Sequence, residues 1–324
     1  MGRRFLVTGG EQFGDAVKRQ EGARFKCAKL LNVNIEGRKV ETLLRYEANG
    51  INYPDDVPNS IFVSGTLERS ILYLCTSTEV FLYRYPELVL IKKISYPFFQ
   101  NLHHITPYEN MIAVASTGLD MVVFLDKETF EPVYFKNALG KDPWHKYSMD
   151  VDYRKIVSLK PHESHPNYIF EINKESWVTR FNQQDAVCLD DMNKTINICV
   201  ERLHDGYVTG NNVYFTSVNG CIVKANINTL DVEEVIDLNE IDNSDIPLGW
   251  CRGLFVEDNI AYVGFSRIRD TKVKENLKWV VNMVKTNKVN QTRIAVYDLK
   301  NKVKLDELEM PDKSINALYS IIPI

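Results

Sequence analysis

The stretch HHITPYENMIAVASTGLDMVVFLDKETFEPVYFK, residues 103–136, decides the fold. It contains four short runs rich in Val, Ile, Phe and Tyr, separated by the turn sequences Glu-Asn, Thr-Gly-Leu-Asp and Lys-Glu-Thr. Runs of this length and composition, bounded by turn residues, predict β-strands. The stretch therefore predicts a four-stranded antiparallel meander.

The same pattern recurs along the chain, and a unit of about 35 to 45 residues with four strands is typical of a propeller blade. The other four copies lie at 59–94, 165–200, 204–238 and 250–269, the last one resuming at TRIAVYDLKNKVKLDELEM after an insertion. The N-terminus adds three strands, RRFLVTGG, FKCAKLLNVNIEG and RKVETLLRYE, and the C-terminus adds one, SINALYSIIPI.

Joining the two ends gives a sixth blade and removes the exposed sheet edges that an open propeller would present. We predict an all-β fold, with residues 1–324 forming a single six-bladed β-propeller of four-stranded antiparallel blades. The alternative, two β-sandwiches, requires a linker near the middle of the chain. The long connection at 137–164 has no Gly/Ser/Pro tract and does not provide one.

Composition excludes several classes of function. The net charge of −4 is spread along the chain, so we expect no nucleic-acid partner. No apolar window has the length of a signal peptide or a membrane span, which predicts a cytoplasmic protein without a membrane partner. The six cysteines form no CxxC pair and are interpreted as reduced thiols in the core.

The opening run Thr8-Gly9-Gly10 resembles the start of a dinucleotide-binding loop. Such a loop requires a glycine where Gln12 stands, a helix directly after it and an acidic residue about 20 residues later. The next element is instead another strand, FKCAKLLNVNI. We therefore predict no nucleotide cofactor.

Unusual polar residues fall where the inner strands of the blades begin. In a propeller, these entrances and the loops between second and third strands open on the same face, around the axis. Four of the six histidines stand at such entrances: His103, His104, His165 and His204. We predict that His104, His165 and His204 form a catalytic or metal-binding set, because neutral imidazoles from different blades could hold one divalent transition metal.

Further polar residues on the same face predict a site for a small anionic molecule. Arginine binds carboxylate and phosphate through two parallel hydrogen bonds. The predicted substrate-binding residues are Arg180, Arg252, Arg267, Asp120 and Asn167. Structural interpretations stay open: a histidine can simply bond the neighbouring blade, Arg252 can act as a strut, and Asp120 can terminate a turn.

The succession HHI, ASTGLDMVVFLD, HPN, WVTRF, HDG, VYFTSVNG, GWCRGL and VGFSRIR resembles bacterial six-bladed propellers, which are loosely related to gluconolactonases, strictosidine synthases and arylsulfotransferase-type propellers. That resemblance implies a metal or a catalytic histidine at the top of the axial channel. It also implies lactone or ester hydrolysis or group transfer. Calcium-binding lactonases, however, use mainly Glu, Asp and Asn around the axis. Histidine and arginine dominate here, which favours a softer metal or a metal-free anion pocket.

The insertion at about 270–291 carries Leu277, Val280, Val281 and Val284 at helical spacing, with lysines between them. It predicts an amphipathic helix that serves as a lid over the site, as a homodimer contact or as a membrane-surface anchor. Two functions remain open. The first is an enzyme of hydrolase, lyase or isomerase type; the second is a non-catalytic ligand-binding or protein-interaction propeller.

Overall fold

The structure is a computed structural model that describes residues 3–13, 25–54, 59–268 and 290–324. Within these ranges, 24 strands form six separate four-stranded antiparallel sheets. The strands are β1 (Arg4–Gln12), β2 (Phe25–Asn34), β3 (Lys39–Tyr46), β4 (Ser64–Glu68), β5 (Ile71–Cys75), β6 (Val80–Arg84), β7 (Val89–Ile94), β8 (Leu102–Pro107), β9 (Met111–Ser116), β10 (Met121–Asp126), β11 (Pro132–Asn137), β12 (Pro166–Ile172), β13 (Glu175–Arg180), β14 (Asp185–Cys188), β15 (Thr195–Asn197), β16 (Leu203–Thr209), β17 (Asn212–Ser217), β18 (Cys221–Asn226), β19 (Val232–Asp237), β20 (Trp250–Glu257), β21 (Ile260–Ser266), β22 (Arg293–Asp298), β23 (Val303–Glu309) and β24 (Ala317–Pro323).

The sheets are the blades of a ring. Blades 1 to 5 are the consecutive quartets β4–β7, β8–β11, β12–β15, β16–β19 and β20–β23, and blade 6 has the order β24-β1-β2-β3. The inner strands β4, β8, β12, β16, β20 and β24 contact one another in that order, and β24 contacts β4 to close the circle. The predicted six-bladed propeller, with both chain ends in one blade, is therefore confirmed.

The Thr-Gly-Gly run lies inside β1 and is explained by this closure. The Thr8 hydroxyl oxygen accepts a hydrogen bond of 2.9 Å from the Ser320 amide of β24. A Cβ atom on Gly9 would lie 2.2 Å from the carbonyl oxygen of Ala317. The glycine thus permits the close approach of the two terminal strands.

Hairpins at the outer rim are set by Asx turns. The Asp126 carboxylate accepts from the amides of Glu128 (3.0 Å) and Thr129 (2.7 Å), and Asn226 bonds the amides of Asn228 and Thr229 in the same way. Such side-chain caps fix the turn between third and fourth strands. The sequences Asp-Lys-Glu-Thr and Asn-Ile-Asn-Thr therefore specify these turns of the meander through local hydrogen bonds.

Apolar faces of adjacent blades pack against each other and form the core. Between blades 3 and 4, for example, the rings of Phe170 and Phe215 lie 5.6 Å apart, with Trp177 buried beside Phe170. All six cysteines are free thiols, and only Cys199 is exposed. No helix in the described ranges is long and apolar enough to cross a membrane.

Two segments outside the strands matter for the site. Residues 138–165 join blade 2 to blade 3 and contain a 3₁₀ turn, Tyr153–Lys155. A short helix, α1 (Leu238–Asp242), follows blade 4. The insertion predicted at 270–291, with its possible roles as lid, dimer contact or membrane anchor, lies outside the described residues apart from positions 290 and 291.

Candidate functional site

A cavity of about 640 Å³ opens on the axis at the face where the inner strands begin. Blades 2 to 6 and the segments that lead into their inner strands contribute to its wall, together with Asn59 before β4 and residues 157–162 of the long connection. Its polar and aromatic lining includes Asn101, His103, Lys160, His162, His165, Phe181, Arg202, His204, Trp250, Arg252, Arg267 and Tyr319.

Bulges in the inner strands aim side chains at this cavity. On β8, Leu102 pairs with Ser116 and His104 with Ala115, so His103 is an extra residue without a partner. On β16, His204 is extra in the same way. Equivalent register shifts occur on β12, β20 and β24, and the shifts on β20 and β24 lie at Arg252 and Tyr319. A bulge bends the strand and redirects the inserted residue, which explains how several blades present polar groups at one place.

Four imidazoles gather on one side of the cavity. The ring centroid of His103 lies 5.0 Å from that of His165 and 6.1 Å from that of His204. His162 and His165 are joined by a bond of 2.6 Å between their Nδ1 atoms, so one ring donates and the other accepts. The structure thus brings together His165 and His204 of the predicted set, with His103 in place of His104.

The His104 side chain points away from the cavity and is buried between blades 2 and 3. Its Nδ1 accepts a hydrogen bond of 3.2 Å from the amide of Ile169, and its ring packs 4.8 Å from that of Tyr168. The register shift on β8 determines that His103, and not the adjacent His104, points into the cavity. His104 has the interblade structural role that the sequence left open for any of these histidines.

His103, His104, His165 and His204 are neutral at pH 7. Burial, followed by the nearby His162, Arg252 and Lys160, lowers the pKa of His103 to about 4. The pKa values of His165 and His204 are also well below the usual range, first because of burial and then because other cationic or imidazole groups surround them. Burial alone lowers the pKa of His104 to about 3.

Positive side chains lie around the imidazoles, and one of them, Arg202, has an acidic partner outside the lining, with 3.8 Å between its Nε and Oε1 of Glu201. Lys160, Arg202, Arg252 and Arg267 line the cavity, and none of the described lining residues carries a carboxylate. The guanidinium of Arg252 is half-buried and stacks 4.1 Å above the ring of Tyr319. The charges of the described lining residues therefore favour an anion over a cation.

Three lining residues hold buried polar atoms without a hydrogen-bond partner in the described structure. They are Nε of Arg252, Nδ1 of His204 and Oε1 of Gln100. Buried polar groups are normally satisfied, and exceptions often mark places where a ligand or water completes the bonding. Arg252 has only a long contact of 3.5 Å to the Ser266 hydroxyl.

Two of the predicted binding residues have internal partners instead. Arg180 forms a two-fold ion pair with Asp185, with Nε–Oδ1 2.8 Å and Nη2–Oδ2 2.5 Å. The Asn167 amide donates to the carbonyl of Leu203 at 2.8 Å and links the inner strands of blades 3 and 4. Neither residue lines the cavity, whereas Arg252 and the exposed Arg267 both do.

Asp120 is buried and holds the loop that carries two of the histidines. Its Oδ2 accepts from the amide of Glu163, and its Oδ1 accepts from the amides of Ser164 and His165, all at 2.8 Å. The Ser164 hydroxyl donates to the same oxygen. Asp120 therefore positions His165 and does not itself face the cavity.

Several lining residues were not predicted from the sequence: His103, His162, Lys160, Arg202, Trp250 and Tyr319. The His-His pair offered a signal for His103, because adjacent strand residues face opposite sides and one of the two had to point away. Residues 157–162 gave no signal, since their position depends on how the long connection crosses the ring.

The geometry of the histidines also bears on the predicted metal site. Nδ1 of His103 lies 2.9 Å from the carbonyl of Asn101, so this nitrogen carries the proton and Nε2 keeps a lone pair. In the part of the chain that the structure describes, however, no group of three or more His, Cys, Asp or Glu side chains is arranged to hold a metal ion. The described lining residues also include no carboxylate that would offset the charge of a dication.

Comparison with known proteins shows the fold alone. No protein-family model matches the chain, and no curated protein matches it. Among solved structures, it is similar to a protein of unknown function from Bacteroides caccae, with a TM-score of 0.64, 11% identity and 100% and 99% of the two chains covered.

Two further solved structures are also similar to the chain in fold alone. A structure of a nidogen/laminin complex matches with a TM-score of 0.58 and 9% identity, covering 99% of this chain and 98% of the other. The β-propeller domain of Cps50 (Swd1) from Myceliophteria thermophila matches with a TM-score of 0.55 and 8% identity, covering 98% and 92%. At such low identities these similarities establish a propeller and leave the predicted relationship to gluconolactonase-like propellers as a prediction.

Proposed function

We propose that this propeller binds a small anionic molecule in the axial cavity. One observation carries the proposal: four cationic side chains line the cavity, and no carboxylate stands among the described lining residues. An anion in that place would offset their mutual repulsion. Electrostatic attraction would also draw it toward the mouth from solution.

Arg252 is the principal anchor in this proposal. Its stacking on Tyr319 fixes the plane of the guanidinium and leaves N–H groups at the edge for the ligand. The orphaned Nε is one donor without a protein partner. The terminal N–H groups of the same half-buried guanidinium are the ones that can make a bidentate contact to a carboxylate or phosphate.

The neutral histidines orient the bound ligand through hydrogen bonds. Nε2 of His103 accepts a hydrogen bond from a ligand hydroxyl or amine, because Nδ1 is committed to Asn101. The neutral rings of His103, His165 and His204 also avoid adding three more positive charges to the wall. The same lone pair supports a second candidate function, acid–base catalysis on the bound anion by a hydrolase, lyase or isomerase mechanism.

Calorimetric titration with benzenesulfonate and with inorganic phosphate tests the binding proposal. We expect saturable binding of one anion per chain by the wild type and at least about ten-fold weaker binding by Arg252→Gln. Arg84→Gln is the control, because Arg84 is an exposed arginine at the end of β6 and does not line the cavity. Wild-type protein that binds neither anion would refute the proposal.

Elemental analysis of the same protein tests the predicted divalent transition metal. If one such metal per chain is present and is lost on replacing His165 and His204 with alanine, the metal-dependent alternative replaces the anion site. Absence of metal together with anion binding favours the proposal made here.

A further inference from the structure

We propose that the bound anion carries a ring or a comparable apolar group, which packs against residues 157–161 and the aromatic side chains beside them. The proposal rests on the anion site described above and adds the chemical class of its ligand: an organic anion, in contrast to a compact inorganic one.

The size of the cavity supports an organic ligand. Its volume of about 640 Å³ lies within the range of roughly 300 to 1,000 Å³ typical of sites for small organic molecules. A phosphate or sulfate ion held by Arg252 would fill only a small part of it. Most of the wall would then face water.

Part of the wall is apolar. Val157 and Leu159 line the cavity together with Phe181, Val218 and Trp250. Val157 is 37% exposed although it belongs to the most strongly apolar class of side chains. Apolar surface grouped in a concave site is a recurring mark of ligand contact, because covering it removes water from that surface.

The apolar residues are held at the mouth by anchors at both ends of the segment. Before it, the amide group of Gln100 donates to the carbonyl of Ile156 at 3.0 Å, and Lys155 donates to the carbonyl of Tyr53 at 2.9 Å. After it, Asp120 binds three consecutive amides. Val157 and Leu159 therefore stay beside the axis because the chain on either side is fixed.

Cations and aromatic rings alternate around the same opening. The guanidinium of Arg202 lies 5.5 Å from the centroid of Phe181, and that of Arg252 lies 4.1 Å from the centroid of Tyr319. Such a wall matches a molecule whose charge and ring are close together. A carboxylate and a phosphate both fit, since a guanidinium edge binds either of them.

Titrations with matched pairs of anions test this inference: phenyl phosphate against inorganic phosphate, and benzoate against acetate. We expect the ring to strengthen binding about ten-fold or more in at least one pair, because burying a phenyl group removes a large apolar area from water. The pair with the larger gain shows whether the natural ligand is a phosphate or a carboxylate.

The double variant Val157→Ser/Leu159→Ser should reduce this gain to about three-fold or less while inorganic phosphate binds as in the wild type. The control is Val303→Ser, an exposed apolar residue on the outer strand β23, which should keep the full gain. Circular dichroism and thermal unfolding verify that each variant is folded.

The two proposals fail in different ways. Equal binding of phenyl phosphate and inorganic phosphate, together with equal binding of benzoate and acetate, overturns the organic-ligand inference and leaves the anion site standing. A ring gain that persists in the folded double variant also overturns the assignment to this wall. No binding of any of the four anions refutes the anion site itself.

Discussion

Arg180 and Arg252 stand at the same face of the propeller and have opposite surroundings. Arg180, on blade 3, donates two hydrogen bonds to the carboxylate of Asp185, one from Nε and one from Nη2. Arg252, on blade 5, faces an aromatic ring, and the described residues of the cavity wall include no acid. The comparison teaches that residue type and position in the repeat do not define a binding residue. The presence or absence of an internal counter-charge does.

The largest expected effect is on the pH dependence of stability and concerns Asp205, a buried acid that does not line the cavity. Burial raises the pKa of Asp205 to about 7, so the folded state holds a proton that the unfolded state has already released. Wild-type stability should therefore fall as the pH rises from about 4 to above 7. Asp205→Asn should be about 4 kcal/mol more stable than wild type at pH 8 and similar to it at pH 4, since each unit of the pKa shift corresponds to about 1.4 kcal/mol. A variant advantage independent of pH would contradict this explanation.

The second largest expected effect is on the stability of the paired arginine. Arg180→Ala should lower the free energy of unfolding by about 3 kcal/mol, because Asp185 would be left buried without its partner. Urea denaturation measures it. Arg252→Ala is the contrasting variant and should change stability by less than about 1 kcal/mol. Equal losses in the two variants would remove the distinction.

The two adjacent histidines offer a sharper version of the comparison. His104→Phe should cost about 1 to 2 kcal/mol of stability, because the Ile169 amide loses its acceptor, and should leave anion binding intact. His103→Phe should weaken the binding of an anion that carries a hydroxyl, such as 4-hydroxybenzoate, because the Nε2 acceptor is lost, and should leave stability nearly unchanged. Chemical denaturation of both variants measures the loss of stability, and calorimetry measures the loss of binding. The reverse assignment of the two losses would show that His104 faces the ligand.

The smallest effect concerns pH and binding. A bound anion beside His103 raises the pKa of that ring from about 4, so binding takes up protons. The affinity for benzenesulfonate, whose charge is constant in this range, should rise about three-fold as the pH falls from 7 to 5. Calorimetry in two buffers of different ionisation enthalpy measures the proton uptake. An affinity that decreases as the pH is lowered from 7 to 5 would be inconsistent with an anion beside neutral imidazoles.

The sequence predicted a large part of the architecture because each blade encodes itself locally. Strand composition, turn signals such as Asp-Lys-Glu-Thr and a repeated period specify the meander without reference to the rest of the chain. The shared blade followed from the three unpartnered strands at the N-terminus and the single one at the C-terminus. The inner-strand entrances were recognised for the same reason.

The individual site residues were harder to predict because small differences in register decide them. One extra residue on β8 turns His103 toward the axis and His104 toward Tyr168. Arg180 and Asp185 are separated by a short hairpin, and only their contact shows that the arginine is occupied. His162 and Val157 reach the axis through a connection whose course depends on distant anchors such as Asp120 and Gln100.

By itself, then, the sequence determined a six-bladed propeller closed by its own ends, since strand, turn and period are properties of neighbouring residues. The tertiary structure alone decided which polar groups are satisfied by the protein and which are left facing a cavity. Charge compensation acts between blades far apart in the chain. Side-chain direction depends on bulges that a pattern of residue types does not record.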